Sequence, residues 1–471
     1  MSDSNQRPSD YKSDALPAEL IRRSPHFNLF VFKFQAYFIK YMLRMYKYRL
    51  KIENMIKKPE LLAPAGTLDG LKTALLYGAD AVYAGIPGFS MRARAKITTE
   101  EMKQGIEFAH SMGKKVYLAF NLFAHDNDYN LLPRVKETIE YLGPDALIIS
   151  DPGVLMWAKE IFPDMTIHIS TQANICSANT VKFWQKAGAK LCVLAREVTH
   201  NEFKEIRKKC PDIGLEIFIH GAMCMSYSGR CLLSNFITCR PANRGACAQL
   251  CRWKYDVILR EKESGLEMGL DEDDRGAYIL NSKDLCLMPR LKQVLGSGAD
   301  SLKIEGRNRS EYYVGSVVRA YRNAIDSYFE SPEKFDPAPF MDDLNVLETR
   351  GYTDAFFDGK LGADAHNYET TRSDSDYQAI GVITGATDDE IIMELRNEIK
   401  QGDEIKFILP NVLAKVPVVL DKIINAKTGE ELPKMSAGQK NSIKISKAWV
   451  DKKYLDKLGP LVLAYKNKAQ A

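Results

Sequence analysis

The 471-residue sequence lacks the long apolar runs that would place it in a membrane. Crossing a bilayer takes about 18–20 consecutive apolar residues, and the nearest candidate, Phe27 to Leu43, is broken by Lys33, Gln35 and Lys40. A secretory leader needs an uninterrupted apolar stretch behind a short basic start, and none is present. A cytoplasmic protein without a membrane partner is therefore expected. Familiar catalytic signatures are missing too. None of the seven histidines sits in H-E-x-x-H, and there is no G-x-S-x-G elbow and no Walker loop. GSGADS, Gly296 to Ser301, lacks the third glycine of a dinucleotide loop and follows a helical pattern, not a strand. These absences argue against a zincin, a hydrolase elbow and a nucleotide cofactor.

What is present is the composition of a folded soluble chain, with 45% hydrophobic and 27% charged residues. The length suggests two or three domains. The net charge of +4 is unevenly spread. Residues 1–58 hold twelve Lys/Arg against five Asp/Glu, so the remainder is slightly acidic. Overall charge gives the main body no nucleic-acid signature; only local patches can supply one.

Residues 1–57 form an aromatic, basic extension to which no role is assigned. From Pro59 short apolar strands alternate with amphipathic helices. The strands expected are Glu60–Ala63, Ala81–Ala84, Val116–Phe120, Ala146–Ser150, Ile167–Ser170, Leu191–Leu194, Leu215–His220 and Ser301–Ile304. Thr98 with Glu101 spells a capping box. The phrases Gly78-Ala79-Asp80, Gly188-Ala189-Lys190 and Gly298-Ala299-Asp300 each close a helix just before a strand. Eight such units predict an α/β fold, a (β/α)8 TIM-like barrel over residues 58–330, interrupted by a cysteine-rich insertion before the last strand. Residues 331–375 read as a linker. Residues 376–471 read as a small all-β barrel domain with polar turns.

Nine cysteines in a chain without an export signal do not suggest disulfides. Five of them fall between Cys224 and Cys251. Cys176, Cys192 and Cys210 read as buried packing thiols. The others run C-x6-C-x15-C-x38-C through Cys224, Cys231, Cys247 and Cys286, with Cys251 close behind Cys247. Thiolates suit soft metals. Only Cys247 and Cys251 have knuckle spacing, which favours iron–sulfur over structural zinc. The radical loop C-x3-C-x2-C fails because Lys254 occupies its third position.

EIFIHGAMCMSYSGRCLLS, Glu216 to Ser234, strongly resembles the signature of the U32 collagenase-like peptidase family. RGACAQLCRWKY, ILNSKDLCLM and SLKIEGRNRS match further family blocks in the same order. The likeness runs from about Pro59 to Phe329, and the C-terminal domain is similar to that of the tRNA uridine hydroxylation branch. The resemblance implies a barrel holding a [4Fe–4S] cluster on Cys224, Cys231, Cys247 and Cys286; it gives Cys251 no ligand role. It implies hydroxylation of the wobble uridine of tRNA to 5-hydroxyuridine, with prephenate as co-substrate. Hydroxylation of ribosomal RNA by the same chemistry is one alternative, and proteolysis is another. His220 lies four residues before Cys224, so a Cys–His nucleophile pair is conceivable, but a thiolate bound to iron cannot also attack a peptide.

Barrel enzymes work at the C-terminal ends of their strands. Those ends offer Arg196, Glu197, His220, Glu305 and Arg307 as catalytic candidates, with Asn121 and Gln172 as substrate-binding ones. Arg92 and Arg94, after the second strand, suit the carboxylates of a dicarboxylate such as prephenate. Residues 434–468 hold nine lysines against Asp451 and Asp456, interleaved with Trp449, Tyr454 and Tyr465. That pattern suits an RNA backbone and exposed bases, so the β domain is expected to grip tRNA.

Overall fold

The computed structural model describes residues 57–87, 97–224, 226–228, 230–240, 242, 246–253, 258–260, 267–269, 282–359, 365, 367, 375–410, 412–438 and 440–468. The first seven strands are β1 (Glu60–Pro64), β2 (Ala81–Gly85), β3 (Lys115–Phe120), β4 (Ala146–Ile149), β5 (Ile167–Ile169), β6 (Leu191–Val193) and β7 (Gly214–Gly221). A hairpin, β8 (Ile258–Arg260) with β9 (Glu267–Gly269), and a short strand, β10 (Asp284–Cys286), precede β11 (Ser301–Ile304). Strands β1 to β7 pair in sequence, all parallel, and β11 joins β1 to β7, which closes an eight-stranded barrel. This is the TIM-like barrel expected from the sequence.

The intervening helices are α1 (Leu68–Leu76), α2 (Thr99–Ser111), α3 (Asp126–Tyr129), α4 (Leu132–Leu142), α5 (Pro152–Ile161), α6 (Ala178–Lys186) and α7 (His200–Lys209). The capping box forms: Thr98 accepts from Glu101 N–H while the Glu101 carboxylate accepts from Thr98 N–H. The repeated aspartates have a structural use. Asp80 accepts the N–H of Leu61 at 2.9 Å, and Asp300 accepts that of Leu215 at 2.9 Å. Each pins the start of a strand to the turn before a neighbouring one.

After β7 come α8 (Leu233–Thr238) and α9 (Leu291–Leu295), then α10 (Glu311–Glu330), which closes the barrel's outer ring, and α11 (Ala338–Asn345). Residues 331–375 are more than a linker. Phe335, Phe340, Leu344, Val346 and Leu347 are buried in the barrel's core cluster, and β12 (Tyr352–Thr353) adds to β10. Arg350 is buried against Asp284. The Pro- and Asp-rich composition concealed these anchors because they are few apolar residues scattered among polar ones.

The C-terminal domain comprises β13 (Tyr377–Ala386), β14 (Glu390–Leu395), β15 (Ile399–Lys400), β16 (Glu404–Ile408), β17 (Lys415–Val419), β18 (Ile423–Asn425), β19 (Glu431–Leu432), β20 (Lys434–Met435), β21 (Ser442–Ser446) and β22 (Leu463–Asn467). Eight of them form an antiparallel half barrel, ordered β17-β16-β22-β13-β14-β21-β18-β19, around its own core. It is docked on the barrel by buried polar contacts. The Tyr77 hydroxyl donates to Ile408 O at 2.8 Å and accepts from Leu463 N–H at 3.0 Å. Arg319 on α10, fully buried, pairs with Asp343 at 2.9 Å and donates to Val412 O.

Candidate functional site

Parallel strands closed into a barrel deliver all their C-terminal ends to one mouth. Asn121 follows β3 and donates to Ser170 Oγ at 3.1 Å, and Ser170 also accepts from Gln172 N–H at 3.3 Å. Gln172 sits in the 3-10 turn after β5, and Asn174 ends that turn with φ 51°. Arg196 and Glu197 follow β6. The Arg196 guanidinium lies 4.1 Å from the centroid of Phe218 and donates to Ser228 at 3.2 Å. Glu305 and Arg307 follow β11; Glu305 accepts from Ala222 N–H at 3.4 Å, and the Arg307 guanidinium faces Tyr83 at 5.9 Å. Arg92 and Arg94 lie outside the described residues.

Four atoms at this mouth stand out energetically. Gln172 Oε1, Asn174 Oδ1, Arg196 Nε and Glu197 Oε2 are buried without a hydrogen-bond partner among the described residues. An unsatisfied buried polar atom costs about 1–3 kcal/mol, so natural proteins keep few. Burial also pushes the Glu197 carboxyl above its ordinary range. Such atoms gathered after two adjacent strands suit a polar ligand that completes them. Asn174 escaped the sequence reading, although the TQAN run after β5 would have flagged it.

His220 is placed differently. It is 1% exposed and walled by Tyr313, Tyr321 and Tyr352, and neither ring nitrogen has a hydrogen-bond partner among the described residues. Burial pushes it down to about 3, so the ring is neutral at ordinary pH. It lies behind the mouth, not on its rim, as the register partner of Cys286.

The thiols approach the same mouth. Strand β10 runs antiparallel to the end of β7 and carries buried Cys286 there. Cys224 comes three residues after β7 ends. Gly221 makes that exit: its φ is +116°, and a Cβ there would stand 2.7 Å from Glu305, so only glycine passes. The chain then crosses the mouth. Tyr227 hydrogen-bonds Cys176, Ser228 meets Arg196, and the Arg230 guanidinium lies 4.6 Å from the Phe123 ring centroid. Ser234 donates to Arg240 O at 2.7 Å and accepts from Ala248 N–H at 2.9 Å. Cys231 and Cys247 therefore belong to one folded loop. Cys192 and Cys210 are buried as expected, whereas Cys176 is exposed beside Tyr227.

None of the nine cysteines is in a disulfide. Among the described residues no three His, Cys, Asp or Glu stand close enough to hold a metal ion. The donor chemistry alone, unbridged thiols supplied by the end of β7, the loop and β10, is of the soft kind that an iron–sulfur group takes. No helix among the described residues is long and apolar enough to cross a membrane.

Fold and site together define a (β/α)8 barrel protein with a polar mouth overlaid by a thiol-rich loop. Residues 66–367 match the family described as Peptidase family U32, and the chain belongs to that family. It is 38% identical over 417 residues to the tRNA hydroxylation protein P of Escherichia coli, covering 80% of this chain and 91% of that one. It is 35% identical to a collagenase of Porphyromonas gingivalis, covering 66% and 76%. It is 30% identical to the 23S rRNA 5-hydroxycytidine C2501 synthase of Escherichia coli, covering 76% and 53%.

Proposed function

We propose that this chain is an RNA-modifying enzyme that hydroxylates C5 of the wobble uridine in tRNA, with prephenate as co-substrate and a [4Fe–4S] cluster on Cys224, Cys231, Cys247 and Cys286. The carrying observation is its similarity, across nine-tenths of that relative's length, to a protein named for tRNA hydroxylation. A family that also contains an rRNA hydroxycytidine synthase supports RNA oxidation as the shared chemistry.

The chain's own residues divide the work. Gln172, Asn174 and Glu197 present acceptors, and Arg196 a donor, to the edge of a base held in the mouth. Phe218 fixes the Arg196 guanidinium by stacking under it. Glu305 and Arg307 stabilise charge that develops during reaction. Arg92 and Arg94 hold the carboxylates of the co-substrate. Cys224, Cys231, Cys247 and Cys286 would hold the cluster, which would supply electron transfer. Proteolysis has the family name and the collagenase relative behind it, but among the described residues His220 is buried and hydrogen-bonds no thiol.

Nucleoside mass spectrometry of tRNA from cells with and without the gene tests the reaction, and loss of 5-hydroxyuridine derivatives is expected. Anaerobically purified protein should hold about four iron and four sulfide per chain. Serine at any of the four ligand cysteines should bleach it, and serine at Cys210 should not. A colourless protein with one zinc would sink the cluster. Unchanged tRNA with a lost ribosomal 5-hydroxypyrimidine would move the substrate to rRNA. Casein digestion lost on Cys224→Ala would revive the peptidase.

A further inference from the structure

We propose that the cysteine loop carries a second functional surface: an aromatic and cationic patch, built around Phe236 and Trp253, on which unpaired RNA nucleotides flanking the target base stack. The proposal rests on the RNA reading above and adds where the RNA is held.

Large apolar side chains scattered singly over a surface need no explanation, but clustered ones do. Of the twelve exposed large hydrophobics among the described residues, five lie within 227–253: Tyr227, Leu232, Phe236, Ile237 and Trp253. Phe236 is 87% exposed and Leu232 71%. These residues are presented by a built element. Helix α8 is tied by Thr238 to Ser234 O at 2.7 Å and by the two Ser234 bonds across the loop. Leu250, 1% exposed, anchors the turn that ends at Trp253, and Arg240 Nε donates to Ala246 O. A short helix held by buried bonds while showing its rings to water favours display over packing.

Charge selects the occupant. The described side chains of this loop include Arg230 and Arg240, and the sequence of residues 224–253 holds no Asp or Glu, in a chain whose residues after 58 are net acidic. A protein–protein interface core is depleted in charge and needs partners of both signs. Rings among cations with no anions fit a polyanion with flat faces, which is single-stranded nucleic acid. Position agrees, because the loop reaches the mouth through Arg230 on Phe123 and Ser228 on Arg196.

The C-terminal lysine-rich segment, expected from the sequence to stack bases, is less suited. Tyr465 is 2% exposed and packs against Tyr312 and Tyr377. Trp449 and Tyr454 lean on the half barrel's core. Lys434, Lys444, Lys453 and Lys466 are engaged with carboxylates. That face supplies charge without free rings.

The test uses the full chain and a Phe236→Ala/Trp253→Ala double variant, with Phe236→Tyr as the conservative control. Binding of unfractionated tRNA and of a single-stranded uridine oligonucleotide is read by fluorescence anisotropy at several salt concentrations. Light scattering reports oligomeric state, and thermal unfolding and iron content report integrity. The double variant should bind RNA roughly ten-fold or more weakly. Its slope of log Kd against log salt should be unchanged, because no cation is removed. Phe236→Tyr should retain the wild-type Kd. A double variant with wild-type RNA affinity, beside a wild type that binds well, overturns the patch and leaves the RNA reading standing. A wild type that binds neither probe overturns that reading as well. A wild-type dimer turned monomer by the double variant, with Kd unchanged, makes the patch a self-association surface.

Discussion

Deep in the bore and at the mouth, the barrel treats its polar groups in opposite ways. Lower in the bore, Lys303 on β11 pairs with Glu216 on β7 at 2.7 Å, and Ser301 donates to Glu216 at 2.9 Å. Tyr117 donates to Glu60 at 2.7 Å, and Lys303 also faces the Tyr83 ring at 4.3 Å. Each charge there meets a partner on another strand, and the neutral His168 ring is the exception among the polar groups, its Nδ1 having no partner among the described residues. At the mouth, Gln172, Asn174, Arg196 and Glu197 keep atoms without partners. A satisfied buried network rigidifies a barrel, whereas an unsatisfied one costs stability and persists where binding requires it. The same polar chemistry therefore holds the fold at one level and serves a ligand at the other.

The strongest way to break this comparison is in the bore. Lys303→Met leaves the Glu216 carboxylate buried and unpaired, with an expected loss of about 3–5 kcal/mol in urea unfolding. Adding Glu216→Gln should restore most of it. If the single variant costs no more than a surface substitution, the bore is not the structural half.

Acid should strain the bore next. Burial pushes His168, edge-on to Tyr117, down to about 4. Between pH 6.5 and 4 the unfolded chain binds a proton that the folded chain refuses. The stability from the neutral ring is thus complete above pH 6.5 and falls as pH drops, by on the order of 3 kcal/mol in all. Glu60, raised by burial, works in the opposite sense just above the ordinary carboxylate range. Urea midpoints measured against pH should fall less steeply in His168→Phe than in wild type. An unchanged slope would show that the ring is not the cause.

At the mouth the stability losses should be smallest and the activity effects largest. Gln172→Leu removes a buried oxygen with no partner among the described residues and should leave stability unchanged or raise it by up to about 1–3 kcal/mol, and Glu197→Gln, which keeps an oxygen for the carboxyl's backbone hydrogen bond, should change it little. Both should cut 5-hydroxyuridine formation in tRNA at least roughly ten-fold, read by mass spectrometry. Strong destabilisation with intact activity would make these residues part of the scaffold.

The barrel was legible because buried parallel strands are continuous apolar runs with turn signals at both ends. All eight expected strands are present within a residue or so of their expected bounds. The places of Asn121, Gln172, Arg196, Glu197, Glu305 and Arg307 were legible too, because each follows the end of a barrel strand, whereas His220 lies on β7 itself and is buried. Residues 331–375 were misread because Phe340 and Leu344 reveal their burial only against α10. Tyr465 looked like a base-stacking ring among lysines, yet its register on β22 turns it toward Tyr312.

Sequence alone determined the repeating units, their caps and the supply of thiols, since these depend on local propensity and hydrophobic period. Tertiary structure decided which polar groups find partners. Glu216 and Lys303 lie 87 residues apart and meet only because β11 closes the barrel against β7. Gln172 and Arg196 lie far closer in sequence and follow the paired strands β5 and β6, yet Gln172 Oε1 and Arg196 Nε find no partner among the described residues. Partnership of this kind depends on barrel closure and strand register, which no local pattern encodes.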